Sequence, residues 1–164
     1  MRKVYSNKND FSPIKREGTS IILSYGYHEL EDNEATWYEV SLPKNHYPCL
    51  TFEDVQDAIV SDINDRITNQ IVGGFKWENK PVWYSLENQI NFSLSVAPVN
   101  LKIGEYEDGS PVYVEFATSE ELKAFNDACL VWKNQCLEAG RAEKEGIDWQ
   151  PYKDYFPSDE PIEV

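Results

Sequence analysis

Four aspartates, Asp54, Asp57, Asp62 and Asp65, recur at steps of three to five residues, and carboxylates so placed could converge on a hard cation. No glycine-bearing loop gathers them, so a solvated acidic helix face is the expected arrangement. His28 and His46 have no cysteine or histidine neighbour at metal-ligand spacing and are expected on the surface or in ordinary hydrogen bonds. The sequence lacks a glycine-rich phosphate loop, a Cys-x-x-Cys pair, a Gly-x-Ser-x-Gly elbow and a His-Glu-x-x-His motif. Its 29 acidic residues could always furnish a carboxylate pair, but glycosidase chemistry needs two of them to converge in a cleft. The expectation is a chain without catalytic residues, cofactor or metal site. Aromatic side chains, 13% of the sequence, are the stronger signal. Trp77, Trp83 and Tyr84 read either as packing residues or as a stacking platform for a partner protein or glycan.

The elements that must position these residues follow from spacing. Thr51 caps a helix in which Val55, Ile59, Ile63, Ile67 and Ile71 form one stripe at i+4 steps, so that stripe is core or interface. Gly73 and Gly74 are placed to close this helix with a positive φ. Phe75–Trp77 and Pro81–Tyr84 flank a polar turn and predict an aromatic hairpin. Ser85 is the N-cap of a second helix with Leu86, Ile90 and Leu94 at helical spacing. Val99 to Phe116 predicts a second hairpin turning at Glu107–Ser110, where Asp108-Gly109 forms a turn and not a calcium loop. Thr118 to Glu121 is a capping box for a third helix with Leu122, Phe125, Cys129, Trp132 and Cys136 on one face, ending at Gly140 to Gly146. Upstream, Thr19–Tyr27 and Thr36–Leu42 predict two antiparallel strands around a charged turn. Ile147 to Phe156 reads as an aromatic strap before an extended acidic end. The fold class expected is α+β: small antiparallel β-hairpins packed with about three helices, with extended N- and C-terminal arms.

The 164 residues, 41% apolar, suffice for one domain, expected over residues 19–156 between a basic arm (1–18) and an acidic tail (157–164). A net charge of −14 disfavours nucleic acid as a partner. Cys129 and Cys136, seven residues apart on one helix, would have Cα atoms roughly 10.5 Å apart, too far for a disulfide. All three cysteines, with Cys49, are expected as reduced core thiols. No run reaches the length of a membrane span, and the N-terminus has no signal-peptide pattern.

The longest motif combines Gly74-Phe75-x-Trp77-x-x-Lys80-Pro81-Val82-Trp83-x-Ser85-x-Glu87-Asn88-Gln89-x-Asn91-Phe92 with three later segments. These are the Lys102-x-Gly104-Glu105-x-Glu107-Asp108-Gly109-x-Pro111-Val112-Tyr113 hairpin, Thr118-x-Glu120-Glu121-Leu122, and Glu143-Lys144-x-Gly146-Ile147-Asp148-Trp149. Together they resemble a domain of uncharacterised function in phages and prophages of gut Bacteroidales, including crAss-like ones, over about Glu34 to Tyr152. The resemblance implies a virion structural or assembly protein of tailed phages, encoded beside head-fibre and tail-fibre genes. The function expected on that ground is a non-enzymatic, oligomeric head-fibre or tail appendage component, made in the cytoplasm of a bacterial host and localised to the virion. A fibre-assembly chaperone and a glycan-binding module are the alternatives. Partners implied are capsid, portal or fibre proteins and the chain itself, a two-fold dimer being favoured. The interface candidates are the Ile59–Ile71 helix and the hairpin at Trp77 and Trp83.

The first 18 residues hold Arg2, Lys3, Lys8, Lys15 and Arg16 against Asp10 and Glu17, a net +3 before a remainder of about −17. This asymmetry predicts a docking arm with Tyr5 and Phe11 as apolar anchors and Arg2, Lys3, Lys15 and Arg16 supplying charge complementarity. Deleting residues 2–17 is then expected to leave the body folded while abolishing docking.

Overall fold

The computed structural model describes residues 2–43, 45–47, 49–156 and 161–163, with residues 162 and 163 by backbone alone. The fold is α+β, with antiparallel sheets and, among the described residues, four α-helices. Where one domain is expected over residues 19–156, the chain forms two compact units, residues 1–64 with 142–164, and residues 65–141.

In the first unit β1 (Arg2–Asn7), β2 (Ile14–Glu17), β3 (Ser20–Glu29) and β4 (Glu34–Pro43) make one antiparallel sheet in the order β1-β4-β3-β2. The expected β3–β4 pair is its centre, with Tyr25 opposite Tyr38, and the charged turn closes with Asp32 and Asn33 in the left-handed region those residue types tolerate. The expected basic arm is corrected. Its residues are the two outer strands, with Val4 opposite Trp37 and Ile14 opposite Leu23. Val4 and Ile14 are buried there, and Phe11 packs on the cluster of Val4, Ala35 and Trp37. The arginines and lysines fit this position because an edge strand is protected from further pairing by charge.

Helix α1 (Phe52–Gly73) begins as expected. The Thr51 hydroxyl accepts from Asp54 N at 3.1 Å while the Asp54 carboxylate accepts from Thr51 N at 2.8 Å, a capping box with Asp in the place of Glu. Its isoleucine stripe is core: Val55, Ile59 and Ile63 are fully buried, and Ile67 and Ile71 nearly so. At about 1.5–3 kcal/mol for each such side chain, this stripe is a main source of stability and is not a surface for a partner, which corrects the interface expectation for Ile59–Ile71. The acidic face is corrected at one position: Asp62 is buried and accepts a hydrogen bond from the Tyr25 hydroxyl. His28 and His46 are exposed, as expected. The aromatic strap folds as α4 (Gln150–Lys153), where Tyr152 donates to the Ser24 carbonyl at 2.6 Å and Trp149 and Phe156 pack around Phe52. Of the expected acidic tail, residues 157–160 and 164 lie outside the described residues. Ile162–Glu163 forms β10, paired with β5 (Cys49–Leu50).

The second unit holds β6 (Phe75–Trp77), β7 (Lys80–Val82), α2 (Leu86–Leu94), β8 (Val99–Glu105), β9 (Pro111–Phe116) and most of α3 (Ser119–Glu145). Both predicted hairpins form. The first turns on Glu78 and Asn79, both at positive φ. The Thr118–Glu121 capping box forms in both directions, each contact at 3.2 Å. One glycine expectation is corrected. Gly73 and Gly74 are not left-handed; a β-carbon on Gly74 would lie 2.6 Å from the Gln70 carbonyl oxygen and 2.9 Å from Trp132, so close packing is what demands glycine. Helix α3 ends at Glu145, within the expected Gly140–Gly146 stretch, and Gly140 itself is buried inside the helix where it passes Ile67.

Candidate interaction surface

The second unit is built around packed aromatic rings. Phe125 of α3 meets Phe92, Trp77 and Phe116 at centroid distances of 5.2, 5.5 and 5.1 Å, and Tyr84 stacks on Phe92. Burial raises the Tyr84 hydroxyl above its ordinary pKa, with the neighbouring Cys129 thiol adding to the effect. Trp77 is half-buried and Tyr84 buried, so both serve the core. Beyond the end of β7 the alternation continues, with Val82 and Tyr84 turned inward and Trp83 outward, 55% exposed.

Trp83 is held there by its backbone, whose N–H donates to the Ile103 carbonyl at 2.7 Å. The approach is close because residue 104 is glycine: a β-carbon there would lie 2.3 Å from the Pro81 carbonyl oxygen. The register shift in β8 between Lys102 and Gly104 accompanies this crossing.

Helix α2 follows, capped by Ser85 as expected, with its hydroxyl accepting from Asn88 N. The apolar spacing of this helix puts Leu86, Ile90 and Leu94 on one face, and the fold turns that face outward. Phe92 is the buried residue of the helix, while Leu86, Ile90 and Leu94 are 73, 51 and 75% exposed. At about 100° per residue, Ile90 and Leu94 each lie about 160° round the helix from Phe92, on the opposite face. Burial of Phe92 against Tyr84 and Phe125 turns the helix this way round, and polar contacts with α3 support it: Asn126 donates to the Phe92 carbonyl at 3.2 Å and Lys133 to Gln89 at 2.7 Å. Val96, 78% exposed, extends the apolar stripe beyond the helix.

Between α2 and β8 lies a groove of about 800 Å³ lined by Trp83, Leu94 and Leu101 with Asn88, Asn91 and Gly104. Polar groups along it are engaged locally. Asn88 donates to the Trp83 carbonyl at 2.7 Å, Ser95 to the Asn91 carbonyl at 2.7 Å, and Lys102 to Glu105 at 2.6 Å, a contact that raises the Lys102 pKa. What the groove and helix offer together is an apolar ledge with one large aromatic ring.

The predicted N-terminal partner residues fall elsewhere, on the first unit's sheet. Phe11 is half-buried against Tyr27 and Trp37, and Lys15 pairs at 3.2 Å with the buried Glu39. Lys8 pairs with Glu29 at 3.1 Å. Lys8 and Lys15, two of the arm's five basic residues, are therefore matched within the unit. Arg2, Lys3 and Tyr5 are exposed on the edge strand, Lys3 lying over the Tyr5 and Tyr38 rings, and Arg16 is exposed on the other edge. Cys49 is exposed, unlike Cys129 and Cys136, which are buried free thiols. Among the described residues, no group of three or more histidine, cysteine, aspartate or glutamate side chains is arranged to hold a metal ion, and no helix is long and apolar enough to cross a membrane.

Comparison with protein-family models, with curated proteins and with solved structures finds no match to this chain.

Proposed function

We propose that this protein is a non-enzymatic structural component of a tailed-phage particle, working through protein–protein contact. The observation that carries the contact part is the outward apolar face of α2. Contiguous exposed apolar side chains on a rigid framework mark surfaces that another protein covers, and an exposed tryptophan at the edge is the residue type most often dominant there. The particle part rests on the resemblance of the Gly74–Phe92 motif and its three companions to Bacteroidales phage domains. Partners on this reading are other virion proteins and further copies of the chain. The apolar character of the ledge favours a protein over a glycan, since sugar recognition draws on free hydrogen-bonding groups beside the ring.

Mass spectrometry of purified particles from a phage or induced prophage encoding the chain tests this. Stoichiometric presence is expected. Absence from finished particles, with presence in the infected cell, would replace the structural role by that of an assembly chaperone.

A further inference from the structure

The exposed stripe of α2 has a symmetry that indicates its occupant. Taking Ile90 as centre, Leu86 lies four residues before it and Leu94 four after, while Trp83 and Val96 lie seven before and six after. An apolar pattern that reads nearly the same in both directions is self-complementary when two helices cross antiparallel on a two-fold axis. Leu86 then meets Leu94 of a second copy and Ile90 meets Ile90, with Trp83 and Val96 just outside the two helix ends. An unrelated partner would impose no such symmetry.

Charge points the same way. The chain carries −14, so most of its surface would oppose another copy, yet α2 contains a single charged residue, Glu87. In the antiparallel pairing Glu87, three before the centre, faces Ser93, three after it, and not the other Glu87. A core depleted of charge is what distinguishes the middle of an interface from its rim.

Area is sufficient. Given their exposures, the five side chains present on the order of 600 Å², against roughly 800 Å² per partner in a standard interface, and Asn91 with the groove's polar wall supplies a rim.

We propose that α2 is a two-fold self-association surface, on which two copies of the chain pair antiparallel across Ile90. The proposal rests on the reading of this face as a contact surface and not on the identity of the particle.

Light scattering on the purified chain at tens of micromolar is expected to give twice the chain mass of 19.0 kDa. Ile90→Asp, which places two carboxylates at the axis, is expected to return the single-chain mass with an unchanged circular dichroism spectrum, raising the dissociation constant by about a hundredfold or more. Should that variant fail to fold, cysteine cross-linking in a Cys49→Ser background decides. Ile90→Cys is expected to cross-link to itself under mild oxidation, and a mixture of Leu86→Cys and Leu94→Cys chains to cross-link far better than either alone. A wild-type chain that stays at single-chain mass, or Leu86→Cys joining itself as readily as it joins Leu94→Cys, overturns the pairing. A monomeric result would leave the mass-spectrometric test of the particle role untouched, so the two failures are distinguishable.

Discussion

A β-carbon placed on Gly140 would lie 2.6 Å from Cγ1 of Ile67, so α1 and α3 run together in the second unit only because residue 140 has no side chain. Ile67 is β-branched and almost fully buried, and its Cγ1 cannot swing clear as the end of a long side chain would. Gly140→Ala therefore sets an overpacking cost of about 1–3 kcal/mol against about 1 kcal/mol of helix propensity gained. A net loss of stability is expected, read as a melting temperature a few degrees lower. Gly73→Ala, at a position with open space around it and no positive φ, is the control and is expected to be neutral or slightly stabilising.

Tyr152 anchors the C-terminal strap by donating to the Ser24 carbonyl, and Tyr152→Phe leaves that buried acceptor short of its donor. The expected cost is about 1–3 kcal/mol in denaturant titration. The pH dependence has a definite sign. Burial, with the Asp148 charge adding to it, raises the Tyr152 pKa above the ordinary 10.0, so the unfolded chain releases its phenolic proton first. The stabilisation is complete below about pH 10 and is lost as pH rises from there through the folded value. Wild type is expected to weaken over that range more steeply than Tyr152→Phe.

The three cysteines are expected to separate kinetically. Cys49 is exposed, whereas burial pushes the Cys129 thiol up to about 12 and raises Cys136 as well. Since the thiolate is the reactive form, a disulfide reagent at pH 8 should label one thiol rapidly and the other two only on unfolding. Rapid labelling of all three would contradict the burial of the α3 face. Cys129 also carries a stability term with the same sign as Tyr152, present below the unfolded value near 9 and lost as pH rises towards 12.

Deletion of residues 2–17 is expected to disrupt the first unit, in place of the intact body that a free arm would leave. It strips both outer strands, exposes Trp37 and Ala35, and leaves the buried Glu39 without Lys15. Circular dichroism melts should show loss of cooperative unfolding. A truncated chain that melts like wild type would restore the arm.

Local signals carried far in this sequence. Thr51, Ser85 and Thr118 cap the helices they were expected to cap, because a hydroxyl three residues before an exposed N–H needs no distant partner. The isoleucine stripe of α1 was legible for the same reason. Asp62 was not, since its partner Tyr25 lies on a strand that no periodicity links to the helix. Helical spacing of Leu86, Ile90 and Leu94 showed that they share a face but not which way it points; Phe92, outside that series, decides this through Tyr84 and Phe125. At the N-terminus the charges concealed a strand, because the lysines and arginines that suggest a solvated arm are also those that guard a sheet edge.

The central claim is that the protein acts by contact through the outward face of α2. The most direct test is to quantify the chain in particles assembled with wild-type protein or with Ile90→Asp, having first shown that the variant is folded and soluble in the producing cells. The expected result is a stoichiometric wild-type chain and a variant depleted at least tenfold from the particles. Incorporation of the variant at the wild-type level would show that this face has no part in assembly and would contradict the claim.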